Sequence, residues 1–387
     1  MKTFLFVAII CLLAAFAAAD TKTTKWYELT NSYSFAEYQK EFKKVYESET
    51  EKVFRKRIFE ERLKAVLLHN ADPSQTYKRG VNHFTDHTLE ELKNARGLHK
   101  GLLYQGHHER RKLQQVDTMK LGNTSSASLP EIVDWRTKNV LTPIKNQGQC
   151  GSCWTFASTE TLESQWALKT GILQELSEQF ILDCTPNPQQ CGGTGGCGGG
   201  TAELAYTELV KRGGMPSEYT YPYISGTGKA GQCHGVPLKP ATPHTGEPMA
   251  SATLKGHVSV TSNSYDAVMD AVANVGPLAV SVDAGAWHDY ESGVFSGGNQ
   301  TSPTLDHLVQ LVGYGSDKQL GDYWIIRNSW TPLWGEDGFM LLKRYSDEEH
   351  CGVDVNPLDG NGCKGGPPTV KVCGQNGVLY DAVYPVV

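Results

Sequence analysis

The pattern of apolar and polar positions changes character several times along the 387 residues. Lys2 precedes an apolar run from Phe4 to Phe16, which ends at the small residues Ala17-Ala18-Ala19. That run falls short of the roughly 20 residues a membrane span needs, so residues 1–19 read as a cleaved secretory signal peptide. From about Ser34 to Asn70, Phe35, Tyr38, Phe42 and Tyr46, then Phe54, Ile58, Leu63 and Val66, recur at helical spacing among dense Glu, Lys and Arg. This predicts a small helical domain with a solvated charged face. Leu98 to Ser128 is polar and aperiodic, the composition of a linker that proteases can reach. A second helical region runs from Ser152, an N-cap candidate, to about Lys211; Trp154, Ser158, Leu162 and Trp166 fall four apart and Gly171 offers a stop. After about Lys255 short apolar runs take over: Pro277–Val282, Leu308–Tyr314, Tyr323–Ile326 and Phe339–Leu342. A helical half followed by a strand-rich half predicts an α+β unit over 128–387, with a cleft between two subdomains. No apolar stretch after the signal is long enough to span a bilayer, so no membrane contact is expected after its removal.

Charge divides the chain at the same place. Residues 21–127 carry 20 Lys+Arg against 14 Asp+Glu, a balance of +6, and residues 128–387 carry 15 against 27, a balance of −12. Two units that attract each other are implied. A nucleic-acid arm is excluded because the basic charges are interleaved with acidic ones along helix-like segments. Of ten cysteines Cys11 leaves with the signal, and an oxidising compartment then leaves one of nine unpaired. Cys153 opens a predicted helix, where the positive end of the backbone dipole favours a thiolate, although half of a disulfide is the competing reading. A nucleophilic thiol needs a base and an orienting group. Asp306-His307-Leu308 and Arg327-Asn328-Ser329-Trp330, at strand ends, supply candidates. The glycine-rich Cys191–Gly200 stretch lacks the lysine and preceding strand of a phosphate loop, and no metal cluster or cofactor motif is present. Asn123 and Asn299 head glycosylation sequons.

Taken together these residues resemble the papain family, cathepsin L-like branch. Cys150-Gly151-Ser152-Cys153-Trp154 fits the family's nucleophile signature in full. Glu51, Arg55, Phe59, Arg62, Val66 and Asn70 follow the spacing of the ERFNIN propeptide helix, with Arg62 where Asn is usual and Val66 for Ile. Gly80-Val81-Asn82-His83-Phe84-Thr85-Asp86 matches the GxNxFxD motif. The resemblance implies a papain-like unit at 128–387, with a helical left lobe and a β-barrel-like right lobe, behind a small helical propeptide at 20–127. It implies a zymogen that matures by cleavage between about Leu121 and Leu129. The mature form would be a monomeric cysteine endopeptidase acting on proteins and peptides, with no cofactor. Cys153 would attack as a thiolate of depressed pKa paired with the His307 imidazolium, Asn328 would orient the ring under Trp330, and Gln147 would steady the oxyanion. Gly199, Gly200, Thr201, Ala202, Leu305, Asp306, Leu308 and Trp334 are the implied substrate contacts.

Cys150–Cys197 and Cys184–Cys233 are the implied disulfides. Cys191, Cys351, Cys363 and Cys373 stay open, with Cys363–Cys373 the first guess. An insertion at about 356–380 has no counterpart in the family and leaves the floor of the main specificity pocket as either Asn356 or Asp381; tolerance of both apolar and basic residues is expected there. The basic propeptide would lie reversed in the cleft and be released when acid protonates carboxylates. A lysosome-like vacuole or the exterior is the expected address. A silent binding protein and a transpeptidase on the same scaffold are the alternatives.

Overall fold

The structure, a computed structural model, describes residues 23–97, 129–234, 250–345 and 350–387. The signal peptide, the linker, most of the expected cleavage region and Asn123 lie outside them. The helical stretch expected from about Ser34 to Asn70 forms two helices. Helix α1 (Phe35–Glu41) is closed by a capping box of Ser34 and Glu37, and α2 (Glu49–Ala71) is capped by Ser48. Between them Lys43 takes a left-handed conformation (φ 50°), which ends one helix and re-aims the chain for the next. Phe35, Tyr38, Phe59, Leu63 and Val66 then pack on one another in a core belonging to this domain alone. Strand β1 (Tyr77–Arg79) and helix α3 (Leu89–Asn94) follow, then the short strand β2 (Val133–Asp134).

Helix α4 (Cys153–Thr170) is buried on every side from Cys153 to Gln165, as suits a helix at the centre of the molecule. Helices α5 (Glu178–Cys184) and α6 (Ala202–Arg212) pack against it, giving a helical lobe around Trp154, Leu162, Phe180 and Tyr206. The second lobe holds β3 (Gly256–Ser259), α7 (Tyr265–Asn274), β4 (Leu278–Val282), β5 (Tyr290–Phe295), β6 (His307–Asp317), β7 (Gly321–Arg327), β8 (Phe339–Lys343), β9 (Cys351–Asp354), β10 (Val370–Cys373) and β11 (Ala382–Val386). Its sheet runs β1-β5-β8-β7-β6-β4-β11-β3, with β2 beside β6; β9 and β10 form a separate hairpin. The four expected strands correspond to β4, β6, β7 and β8. Strands β1, β9 and β10 are three or four residues long and β5 is interrupted by Glu291, Ser292 and Gly293, so none of them stands out as an apolar run.

The first strand of that sheet comes from the amino-terminal helical domain. Tyr77 stands opposite Gly293 and Lys78 opposite Ser292, so the amino-terminal domain completes the edge of the second lobe's sheet. Phe84, Leu92 and Ala95 are buried in the same apolar cluster as Trp287, Trp330 and Trp334. No helix among the described residues is long and apolar enough to cross a membrane.

Four disulfides are formed: Cys150–Cys197, Cys184–Cys233, Cys191–Cys363 and Cys351–Cys373. The guess of a Cys363–Cys373 bridge is corrected. Cys351 and Cys373 face each other in register across β9 and β10, so the hairpin's own pairing joins them. Cys363, further out in the insertion, is freed to reach the helical lobe.

Candidate active site

Cys153 is the first residue of α4 and, among the described residues, the only free cysteine. Ser152 does not cap this helix through its side chain; its hydroxyl hydrogen-bonds instead with Tyr223 Oη at 2.7 Å. The amide N–H groups beside the thiol, those of Cys153, Trp154 and Leu308, all act to lower its pKa. Burial outweighs them and pushes the thiol up to about 12. His307, the first residue of β6, is fully buried and drawn down to about 4, also by burial. Burial under the covering segment thus acts against the expected thiolate–imidazolium pair at both of its members.

The covering peptide is Ala95-Arg96-Gly97. Cys153 Sγ donates to the Arg96 carbonyl at 3.3 Å, and the Ala95 carbonyl accepts from Gln147 Nε2 at 2.9 Å and Trp330 Nε1 at 3.0 Å. Gln147 Oε1 is held by Ser329 Oγ at 2.6 Å, which leaves its amide nitrogen facing this peptide. His307 Nε2 meets Asn328 Oδ1 at 2.8 Å, while Nδ1 is buried without a partner. Trp330 stacks on the imidazole at 4.8 Å between ring centroids. Gln147, Cys153, His307 and Asn328 are thus brought to one place from three separate segments. Nothing in the sequence marks Arg96 and Gly97, which follow the propeptide motifs rather than belonging to them. Arg96 Nη1 lies 3.3 Å from Asp306 Oδ2, and burial with neighbouring Asp283 raises Asp306 to about 7.

A pocket beside the thiol is walled by Gly199, Gly200, Leu305, Asp306 and Leu308, and also by Gly192, Gly360 and Asn361. Gly200 lies against the face of Trp154, where a Cβ would come within 2.8 Å of the ring. Thr201, Ala202 and Trp334 are not among the walls: the first two begin α6, and Trp334 is fully buried with its indole donating to the Trp287 carbonyl. Of the two candidate floor positions, Asn356 is exposed at the start of the insertion. Asp381 Oδ2 accepts from Ser281 Oγ at 2.6 Å and from Asn361 Nδ2 at 3.2 Å. Asn299 is exposed.

Comparison with known proteins agrees with this geometry. Residues 129–369 match the papain family cysteine protease model and residues 35–92 the cathepsin propeptide inhibitor domain (I29). The chain is 34% identical to procathepsin L of Mus musculus, covering 91% of this chain and 97% of that protein. It is 33% identical to cathepsin L1 of Drosophila melanogaster, covering 91% and 90%. Among solved structures, a recombinant stem bromelain precursor superposes with a TM-score of 0.70 at 30% identity, covering 91% and 97%. A digestive procathepsin L2 proteinase from Tenebrio molitor larval midgut gives 0.69 at 30% identity, covering 91% and 98%. The chain belongs to the papain family of cysteine proteases and is a cathepsin L-like zymogen that carries its own I29 inhibitor domain.

Proposed function

We propose that the matured chain is an endopeptidase in which Cys153 attacks a peptide carbonyl and His307 carries the proton to the leaving amine. Water then clears the acyl-enzyme, with the same histidine as base. Asn328, accepting from the imidazole at 2.8 Å, fixes the ring's direction and tautomer, and Trp330 keeps water from that bond. Gln147 Nε2 and the Cys153 amide stabilise the oxyanion. The observation that carries the reading is the Ala95-Arg96-Gly97 peptide, which rests on Gln147 and Cys153 as a substrate would.

Its contacts run from Leu92 at His288, through Ala95 at Trp330, to Gly97 against Gly151 and Gly199. This order supports a propeptide laid opposite to substrate, a direction that displaces the reacting carbonyl and spares the inhibitor. Substrate pairs in extended form with Gly199 and Gly200. Its second residue before the cut enters the pocket of Leu305 and Leu308, over Asp381, where apolar and basic side chains are both accepted. Domain limits near 19 and 127, use of the Asn299 sequon and a monomeric state belong to the same proposal. The four disulfides support passage through the secretory pathway to a lysosome-like vacuole or the exterior.

The test is acid maturation of the purified zymogen followed by peptide turnover and labelling with a thiol-directed epoxide. Wild-type protein is expected to hydrolyse peptides and take one label, on Cys153, and Cys153→Ser to do neither. Label on another residue, or turnover by the Ser variant, would refute the assignment.

A further inference from the structure

The insertion between β9 and β10 does not hang free. Residues 355–369 leave the sheet lobe and reach the helical lobe, where Cys363 is bonded to Cys191 in the loop between α5 and α6. Two backbone hydrogen bonds fix the far end: Gly192 N donates to the Gly362 carbonyl at 3.0 Å and Lys364 N to the Gln189 carbonyl at 2.9 Å. At the near end Gly360 lies so close to the Leu305 backbone that a Cβ would come within 2.7 Å of its carbonyl oxygen. The segment is therefore a strap, covalently tied, that crosses from one wall of the groove to the other at the level of the pocket beside Cys153.

Asn361 sits between those two anchors and is part of the pocket wall. Its Nδ2 donates to Asp381 Oδ2 at 3.2 Å, an oxygen that already accepts from Ser281. That one oxygen thus carries two protein donors, Glu203 also bears on Asp381, and the amide of Asn361, unlike Asp381, is part of the pocket wall. A carboxylate already hydrogen-bonded and screened by a neutral amide attracts an incoming cation less than a bare one.

We propose that Asn361, held by the strap and the Cys191–Cys363 bridge, is the side chain that sets the choice at the second residue before the cleaved bond, tilting it from basic toward apolar by screening Asp381. This rests on the peptidase reading above and adds a specificity-determining residue supplied by the insertion. Removing the amide would uncover Asp381 and improve capture of a guanidinium or ammonium group. Replacing it with a bulky aliphatic group would bury Asp381 further and act in the opposite direction.

The experiment uses zymogen matured in acid and two fluorogenic peptides that differ only in Leu or Arg at that position, read as the ratio of their kcat/KM values. Asn361→Ala should lower the Leu/Arg ratio about tenfold, a change of about 1.4 kcal/mol in relative transition-state binding. Asn361→Leu should raise the ratio, and Cys191→Ser with Cys363→Ser should lower it as the strap loosens. General damage to the fold would depress both peptides alike and leave the ratio unmoved, so opposite signs for Ala and Leu are the signature. Ratios for Asn361→Ala and Asn361→Leu both within twofold of wild type, with wild type active, would overturn the role of Asn361 alone. Failure of wild type to cleave either peptide or to take an epoxide on Cys153 would instead overturn the peptidase reading itself.

Discussion

Cys153 and His307 illustrate how far a residue's chemistry is set by what covers it. In the zymogen burial pushes the thiol up to about 12 and the imidazole down to about 4, and the Arg96 peptide lies on both. Removing that peptide returns water to the thiol while its flanking amides stay, so the pKa should fall and reactivity rise. Iodoacetamide at pH 6–7 is accordingly expected to leave Cys153 of the zymogen unmodified and to label it rapidly after maturation; equal rates would contradict the account. Gln147→Ala should lower kcat of the mature enzyme on the order of 10²–10³-fold, read by steady-state kinetics on a peptide. The positions of Gln147, Cys153, His307 and Asn328 could be picked out in the sequence by motif and spacing. Arg96 and Asn361 could not: each acts through a partner, Asp306 or Asp381, that only the folded chain brings near. Arg62, which departs from the ERFNIN pattern, gains its meaning the same way, donating to the Phe84 and His87 carbonyls at 2.6 Å and so clamping the loop that carries the second motif.

At the scale of elements the propeptide is held by three devices: the β1–β5 pairing, the GxNxFxD loop and the Ala95–Gly97 segment. Asn82 organises the loop by accepting from Phe84 N and donating to the His288 carbonyl at 2.7 Å, and Asp86 receives Tyr38, Lys44 and Tyr46. The carboxylates with shifted pKa values in these devices do not favour the expected release in acid. Glu91 is held near 2 by Arg55, and Asp86 is lowered by Lys44 against the opposing effect of burial, which makes both poorer proton acceptors in the folded zymogen. Asp306 and Asp289 are raised by burial, so acid relieves their cost rather than loosening them. The groups with the required sign are histidines. Burial holds His83 near 3, His87 near 4 and His288 well below its usual value, so an undocking that exposed these rings would let them bind protons. A depressed histidine stabilises docking above about pH 6.5 and withdraws that stability as pH falls toward its docked value. His83→Phe should shift the pH midpoint of maturation downward and flatten its profile, followed by gel densitometry across pH 4–7. An unchanged midpoint would remove His83 from the mechanism. The sheet edge offers an independent handle: Gly293 has φ +86°, and a Cβ there would come within 2.7 Å of the Thr76 carbonyl. Gly293→Ala should speed maturation at fixed pH by weakening β1, and a zymogen that matures no faster would show that the edge strand adds little.

For the molecule as a whole, the two lobes must keep Cys153 and His307 in register although each belongs to a different core. The alternation of helical and strand texture made the two lobes legible in the sequence. What joins them was not, because it consists of buried charges distant in sequence and a disulfide whose partner stands 172 residues away. Arg327, fully buried on β7, donates to Thr142 Oγ1 at 3.0 Å and to the Pro143 carbonyl at 2.7 Å, and stands 3.5 Å from Glu160 on α4. Gln310 on β6 reinforces the junction, donating to the Glu160 carbonyl and to Ser164 Oγ, both at 2.9 Å. Burial raises the Glu160 carboxyl to about 7 even with Arg327 pulling it down. Arg327→Met keeps the volume but removes the ion-pair partner of Glu160 and leaves only Lys145 to offset its charge, at a cost of about 3–5 kcal/mol. For a unit of this size that corresponds to a loss of about 10 °C in Tm. Without the guanidinium the glutamate's folded pKa climbs further above its unfolded value, so the variant keeps its stability in acid and loses it as pH rises through that pKa. Melting of the mature enzyme at pH 5 and pH 8 should therefore show the larger deficit at pH 8. Adding Glu160→Gln should recover part of it, because a neutral amide needs no counter-charge. A deficit equal at both pH values would mean that lost packing, not the unpaired carboxylate, carries the cost.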